Sequence, residues 1–288
     1  MTYSRVGVVT GANKGIGLAI VRQLAVQYPN SPHNSGPLLI YLTARDKGRG
    51  EAAVKELLED GQLKRSKALT RDGGLSEIKY HQLDITESSS IQSFAEDLKK
   101  AHGDGIDFVI NNAGIALQGF SSDVVKTTLG CNYYSTMEAC HTFLPLLKPS
   151  ATSRLVNVAS TAGALNKYSD EIRNRFLSSK TESDVTAIMQ DFVAAVEAGK
   201  EKEAGFPSAA YATSKAGLIG ATRAFAAAEK DRGPLINSAC PGYVNTDMTK
   251  GNGTLSPDEG AQTPVMLALA DLMGQTGLFW RNERPQEW

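Results

Sequence analysis

Val6-Gly7-Val8-Val9-Thr10-Gly11-Ala12-Asn13-Lys14-Gly15-Ile16-Gly17 decides the fold of this 288-residue chain. A short apolar run ends in three glycines, spaced Gly11-x-x-x-Gly15-x-Gly17, and residues 15–28 continue with apolar positions at helical spacing. Strand, glycine turn and helix, in that order, bring the free amides and positive end of a helix to a phosphate. Glycine takes the dihedrals such a turn requires and lets the anion approach the main chain. The spacing departs from G-x-G-x-x-G, and three glycines alone are also ordinary turn chemistry, so the flanking strand and helix carry the reading.

The same alternation continues outward. Residues 38–44 read as a strand, 50–58 as a helix, 77–83 as a strand and 88–101 as a helix. Residues 106–110 form a buried strand, a long helical stretch reaches Leu147, and 154–159 form another strand. A helix over 211–230 leads into a strand over 235–240. Apolar strands separated by helices imply a parallel sheet covered on both faces. Right-handed crossovers make it an α/β, doubly wound, Rossmann-like sheet with ligands at the carboxyl ends of its strands. Residues 1–288 read as one domain without internal repeats.

Three segments interrupt the rhythm. Residues 29–37, rich in Pro, Asn and Ser, read as an exposed loop, and residues 61–76, rich in charge and glycine, as a mobile one. Residues 161–210 read as a helical insertion. There Thr181-x-x-Asp184 has the form of a capping box, and Val185, Ile188, Met189, Phe192, Val193 and Val196 share one helical face. Gly199 closes that helix, which covers a surface rather than linking two domains.

With 30 basic and 31 acidic side chains the net charge is -1, which gives no electrostatic reason to expect nucleic acid or an anionic membrane as partner. Cys131, Cys140 and Cys240 form no C-x-x-C pair, and with four histidines they make no metal spacing. No apolar run has transmembrane length, and the chain enters its first strand without a secretory h-region. A soluble protein of a reducing compartment, the cytoplasm, is the expectation.

The end of the second strand should read the adenosine ribose, and an acid there would accept the 2′-hydroxyl of NAD. Leu42-Thr43-Ala44-Arg45 stands there instead. The Arg45 fork suits a phosphate and Lys14 adds a second cation, so NADPH is expected over NADH. Otherwise Arg45 is a solvated loop cation. Asp84, just after the third strand, either accepts the adenine amino group or serves as a helix N-terminal acid. Asn111-Asn112-Ala113-Gly114 ends the fourth strand, where its amides can brace the strand ends and its small residues leave room for a ribose. Simple turn chemistry also accounts for such a peptide.

Tyr211 and Lys215, four apart, share a helix face. A tyrosine ionises near pH 10, and a nearby ammonium lowers that value by stabilising the phenolate. Ser160 ends its strand where its hydroxyl can polarise a carbonyl, and Asn132, in a helix, can hold a water beside Lys215. Each of these residues alone is also explained by a structural hydrogen bond. Ser160 lies in no G-x-S-x-G elbow. Together, Ser, Tyr and Lys point to acid–base chemistry coupled to hydride transfer.

These fragments resemble the short-chain dehydrogenase/reductase family, specifically its carbonyl reductase branch, over nearly the whole chain. The likeness runs through residues 11–20, Leu42-Thr-Ala-Arg-Asp46, His81-Gln-Leu-Asp-Ile85, Asn111-Asn-Ala-Gly-Ile-Ala116, Leu155-Val-Asn-Val-Ala-Ser160, Tyr211-Ala-Thr-Ser-Lys215 and residues 240–248. The resemblance implies NADPH-dependent reduction of ketones, aldehydes or quinones, with Tyr211 as proton donor and Ser160 orienting the carbonyl. Lys215 would tune the tyrosine and hold ribose, and Asn132 would support a proton relay. It places Gly11, Asn13, Lys14, Gly15, Ile16, Gly17, Arg45, Asp84, Ile85, Asn112, Ala113, Gly114, Tyr211, Lys215, Pro241, Gly242, Val244 and Thr246 at the cofactor. It also implies a monomer, because the insertion before the tyrosine occupies a surface that related enzymes use for pairing. Two rivals stand beside it: an alcohol dehydrogenase, steroid- or retinol-like, running oxidatively, and a non-catalytic NADP-binding regulator. The stretch after Gly114 is shorter than in relatives, which bears on substrate choice more than on chemistry. Cys240 is either a reactive thiol near the pocket or a buried structural cysteine.

Overall fold

The computed structural model describes residues 3–288. An eight-stranded sheet with order β3-β2-β1-β4-β5-β6-β7-β8 forms its middle layer. Buried runs rich in Leu, Val and Ile build the inner strands β1 (Arg5–Val9), β2 (Leu38–Ala44), β4 (Phe108–Asn111), β5 (Arg154–Val158) and β6 (Leu235–Cys240). Their side chains alternate between two hydrophobic layers, so both faces must be covered. β3 (Ser76–Gln82) forms one edge, and β7 (Phe279–Arg281) extends the sheet at the other side. All pairings are parallel except β7 with β8 (Arg284–Gln286).

One face is covered by α4 (Ser88–Ala101), α5 (Ser122–Leu129), α6 (Thr136–Phe143) and α9 (Ala210–Ala228). α1 (Gly15–Gln27), α2 (Lys47–Glu59), α3 (Gly61–Arg65) and α10 (Pro257–Leu269) cover the other. β4 shows the division: Val109 enters the first layer, while Phe108 and Ile110 enter the second. Strand order reverses direction between β1 and β4, so a crevice opens there at the carboxyl ends. Gly11, Gly114, Ser160 and Pro241 follow four strands that are neighbours in the sheet, β1, β4, β5 and β6.

The insertion contains α7 (Asp170–Ser178) and α8 (Glu182–Glu197). Thr181 and Asp184 form the expected capping box, and Gly199 has φ +67°. α8 packs onto α9 where α9 is reduced to glycine. A Cβ on Gly217 would lie 2.6 Å from Met189 Sδ, and one on Gly220 would lie 3.3 Å from Val185. Tyr133 and Thr186 share a hydroxyl–hydroxyl bond of 2.8 Å across the same junction.

Several expectations need correction. Residues 61–76 are not an open mobile loop: they form α3 and a 3₁₀ turn, Thr70–Asp72, pinned by buried Leu63, Ala68 and Leu69. The long helix toward Leu147 is broken. α5 passes into a π-helical segment, Gly130–Ser135, before α6, and a 3₁₀ turn, Leu144–Leu146, ends it at a proline. The fourth strand starts at Phe108, not 106; Ile106 instead bridges to Leu147. Asp84 does not cap α4; its carboxylate accepts from the Thr86 amide (3.0 Å) and hydroxyl (2.7 Å). Among the described residues, no helix is long and apolar enough to cross a membrane.

Candidate functional site

Glycine is required where β1 turns into α1. Gly11 has φ +61° and Gly15 φ +58°. A Cβ on Gly17 would stand 2.4 Å from the Gly11 carbonyl oxygen. Lys14, at the N-cap of α1, makes no side-chain cap, and the first turn holds no acid. The amides that normally take a capping side chain therefore face the crevice without one, in the field that favours an anion.

The turn is fastened from the neighbouring strand. The Thr10 hydroxyl accepts from the Asn112 and Ala113 amides, each at 3.0 Å. Asn112 Nδ2 donates to the carbonyls of Thr10 (3.0 Å) and Gly11 (3.1 Å). The Ala12 amide bonds to the Thr43 carbonyl at 2.8 Å and ties in the end of β2, two residues before Arg45. Arg45 is exposed and, among the described residues, pairs with no carboxylate. Lys14 is engaged: its Nζ donates to Asp247 at 2.6 Å, with both side chains largely in solvent. That ammonium holds the Asp247 carboxyl below its ordinary range.

The other expected cofactor residues border the same crevice in different ways. Asn13 and Ile16 are half-buried at the start of α1, and Ile85 is buried after β3 beside Asp84. Pro241 and Gly242 follow β6, and Val244 is buried and bridged to Leu255. The Thr246 methyl would stand 3.4 Å from a Cβ on Gly15, so the loop after β6 closes onto the glycine turn. Gly114 opens toward the chemistry: a Cβ there would lie 3.1 Å from Asn132 Oδ1 and 3.7 Å from Lys215 Nζ. Bare helix end, fastened glycine turn and small residues fit a dinucleotide lying from Arg45 toward Lys215.

Tyr211 and Lys215 lie on one side of α9, with Nζ 5.7 Å from the centre of the Tyr211 ring. Lys215 is 5 % exposed, and its Nζ donates to the Val158 carbonyl at 2.7 Å. Ser160 is half-buried, and its hydroxyl accepts from the Ala162 amide at 3.1 Å. Burial pushes the Tyr211 phenol up to about 12, against a smaller downward pull from the Ser160 hydroxyl. Burial also brings the Lys215 ammonium down to about 8. In the ligand-free protein the net shift of the phenol is upward, led by desolvation, while the Lys215 ammonium is itself desolvated and turned to Val158.

Asn132 sits in the π-helical segment. Its Nδ2 donates to the Ile115 carbonyl (2.8 Å) and the Ser214 hydroxyl (3.1 Å), and its Oδ1 accepts from the Ile115 amide (2.8 Å). Three bonds commit the amide to holding the post-β4 chain against α9. What remains is the second lone pair of Oδ1, beside Gly114 on the Lys215 side. Thr10, Ser214 and Asp247 escaped the sequence reading. Thr10 was accessible in principle, because a hydroxyl directly before a glycine turn at a strand's carboxyl end is positioned to brace it. Cys240 is buried. Its sulfur accepts from the Thr161 (3.3 Å) and Gly242 (3.4 Å) amides, joining two turns of the site.

A family model described as short chain dehydrogenase matches residues 5–172 and 193–255. The unmatched stretch between them lies within the insertion. The chain is 37% identical over 296 residues to carbonyl reductase (NADPH) 1 of Homo sapiens, covering 98% of each protein. It is 37% identical over 298 residues to carbonyl reductase (NADPH) 3 of Rattus norvegicus, covering 99% of each. Among solved structures, salutaridine reductase from Papaver somniferum matches with a TM-score of 0.81 and 27% identity, over 96% of this chain and 99% of that one. Menthone neomenthol reductase from Mentha piperita matches with a TM-score of 0.75 and 26% identity, over 98% and 99%.

Proposed function

The chain belongs to the short chain dehydrogenase family, and from that premise we infer that it is an NADPH-dependent carbonyl reductase acting on ketones, aldehydes or quinones. One observation carries the reading: the Tyr211 phenol, Ser160 hydroxyl and Lys215 ammonium meet at the end of a crevice whose other end is a fastened glycine turn. NADPH, when bound, supplies hydride to the carbonyl carbon. Tyr211 donates its proton to the carbonyl oxygen, and the Ser160 hydroxyl orients that oxygen. Lys215 holds ribose and places positive charge beside the phenolate as the proton leaves. Asn132 keeps Ile115 and Ser214 in register and can hold a relay water through its free lone pair. A phenol kept protonated through the neutral range is the form that reduction needs, whereas oxidation of an alcohol would need phenolate. The phenol is thus loaded for proton donation in the reductive step.

NADPH oxidation measured against a panel of diketones, quinones and aldehydes, with NADH as comparison, tests the function. Tight NADPH binding with no turnover of any carbonyl would shift the reading to a cofactor-binding regulator.

Arg45 carries the cofactor preference. Among the described residues its guanidinium pairs with no carboxylate, whereas Lys14 must exchange Asp247 for phosphate. The Lys14–Asp247 pair is solvent-exposed and so weak, which leaves that exchange open. Arg45→Asp should reduce the NADPH-over-NADH ratio of kcat/KM by roughly ten- to a hundredfold, the worth of a charged hydrogen bond of about 1.5–3 kcal/mol. An unchanged ratio would remove Arg45 from the phosphate site.

The insertion supports a monomer, because α8 already covers the α9 face at Gly217 and Gly220 that a second subunit would need. Sedimentation at micromolar concentration should give a single species of about one chain mass, and a dimer there would count against this assignment. Three buried, unbridged thiols suit the reducing cytoplasm.

A further inference from the structure

Trp288, beyond β8, is built into the active-site wall. Its indole Nε1 donates to the Gly163 carbonyl at 3.0 Å. Its ring meets Phe176 of α7 edge-on, with centroids 5.4 Å apart, and the Arg223 guanidinium of α9 lies 5.3 Å from the ring centre. α9 is glycine at 220 on this side, where a Cβ would approach the indole to 3.0 Å.

Gly163 ends the 3₁₀ turn Thr161–Gly163, which begins at Ser160. Within the turn the Ala162 amide bonds the Ser160 hydroxyl at 3.1 Å, and the Gly163 amide bonds the Ser160 carbonyl at 3.0 Å. On the inner side, Gly163 lies against the peptide joining Lys215 to Ala216. A Cβ there would stand 2.6 Å from the Ala216 nitrogen and 2.7 Å from the Lys215 carbonyl carbon. The turn is therefore gripped between the helix carrying Tyr211 and Lys215 and the indole of Trp288.

Resting on the assignment of Ser160 as the group that orients the carbonyl, we propose that Trp288 is a positioning residue: its indole N–H holds the Ser160 turn against α9 and thereby fixes the direction of the Ser160 hydroxyl. A serine hydroxyl rotates freely unless its surroundings choose a direction, and a catalytic group loses rate steeply when its supporting contacts loosen. Gly163 has no side chain through which it could be held, so its carbonyl is the available handle.

Trp288→Phe separates positioning from packing, because it keeps an aromatic ring against Phe176 and Arg223 but removes the donor to Gly163. The expected result is a three- to tenfold lower kcat, roughly one hydrogen bond's worth. NADPH affinity should stay within about twofold and Tm within about 2 °C of the parent. Because the Ser160 hydroxyl draws the Tyr211 ionisation downward, loosening it should also displace the alkaline rise of product-alcohol oxidation, the tyrosine limb of that profile, to higher pH. Trp288→Ala, which removes ring and donor together, should add a drop in Tm to the same kinetic defect. Parental kcat and an unmoved pH limb in Trp288→Phe overturn the proposal. So does a fall in kcat that merely tracks lost NADPH binding or lost folding. A parent protein that reduces no carbonyl defeats the reductase assignment instead, whereas an active parent with an unaltered Trp288→Phe variant defeats only the role of Trp288.

Discussion

Tyr211→Phe should lower carbonyl turnover by about 10²–10⁴-fold, the usual worth of a positioned general acid, while leaving NADPH binding nearly intact. The substitution removes one oxygen from a half-buried ring. The ring keeps its packing, and among the described residues the phenol's neighbour is the Ser160 hydroxyl, half-buried at the crevice, so folding is little disturbed. The loss therefore falls on the chemical step: the carbonyl oxygen gains charge with no proton donor beside it. kcat from steady-state NADPH oxidation and Kd from cofactor fluorescence separate the two effects. The pH dependence adds a sign. With the phenol pushed up to about 12, the proton donor is loaded throughout the neutral range, so reduction should not gain from added acid. Oxidation of the product alcohol needs the phenolate and should rise with pH over the same range. Parental turnover by Tyr211→Phe would leave the chain a binder of NADPH with a reductase's outline.

Legibility of this molecule in its sequence follows the range of the interactions. The glycine turn, the Thr181–Asp184 cap and the apolar face of α8 are local, so spacing alone exposes them. The inner strands are likewise legible because burial on both faces leaves near-continuous apolar runs. α10 carries Pro264 in its interior, which reads as a helix breaker, and β7 and β8 have three residues each, too few for a period. The composition of residues 61–76 speaks for solvent, yet Leu63, Ala68 and Leu69 suffice to pin the segment once β2 and α2 provide a surface. Longer-range facts were invisible: Lys14 meets Asp247 across 233 residues, and Trp288 meets Gly163 across 125. The sign of the Tyr211 shift belongs to this class. The four-residue spacing correctly placed an ammonium near the phenol, but the desolvation that leads the upward shift arises only in the assembled fold.

That burial makes Lys215 a residue held against the stability of the protein, and Lys215→Met should show it. Turnover should fall by at least about 10³-fold, because the phenolate left by proton transfer loses the ammonium that lies beside its ring and, on the proposed role, the ribose loses a donor. The ligand-free protein, in contrast, should become more stable near neutral pH. Lys215 falls from its ordinary 10.5 to about 8, so its charged form is disfavoured on folding by about 3 kcal/mol. Met matches the unbranched stem and carries no charge to desolvate. The Val158 carbonyl loses its 2.7 Å donor, which takes back about 1 kcal/mol. The net gain of roughly 2 kcal/mol corresponds to an increase in Tm of about 4–8 °C for a chain of this size. The sign with pH is fixed by proton binding. Below about 8 both folded and unfolded chains hold the Lys215 proton, and the penalty on the parent is full. Between about 8 and 10.5 the unfolded chain still binds the proton and the folded one does not, so the parent gains stability as pH rises. Above 10.5 both are neutral and the penalty is gone. The stability gap between variant and parent should therefore close across that window, as followed by thermal or urea unfolding at a series of pH values. A variant less stable than the parent near neutral pH, or a gap that ignores pH, would mean that the ammonium is solvated within the fold and that Lys215 reaches the phenol through water.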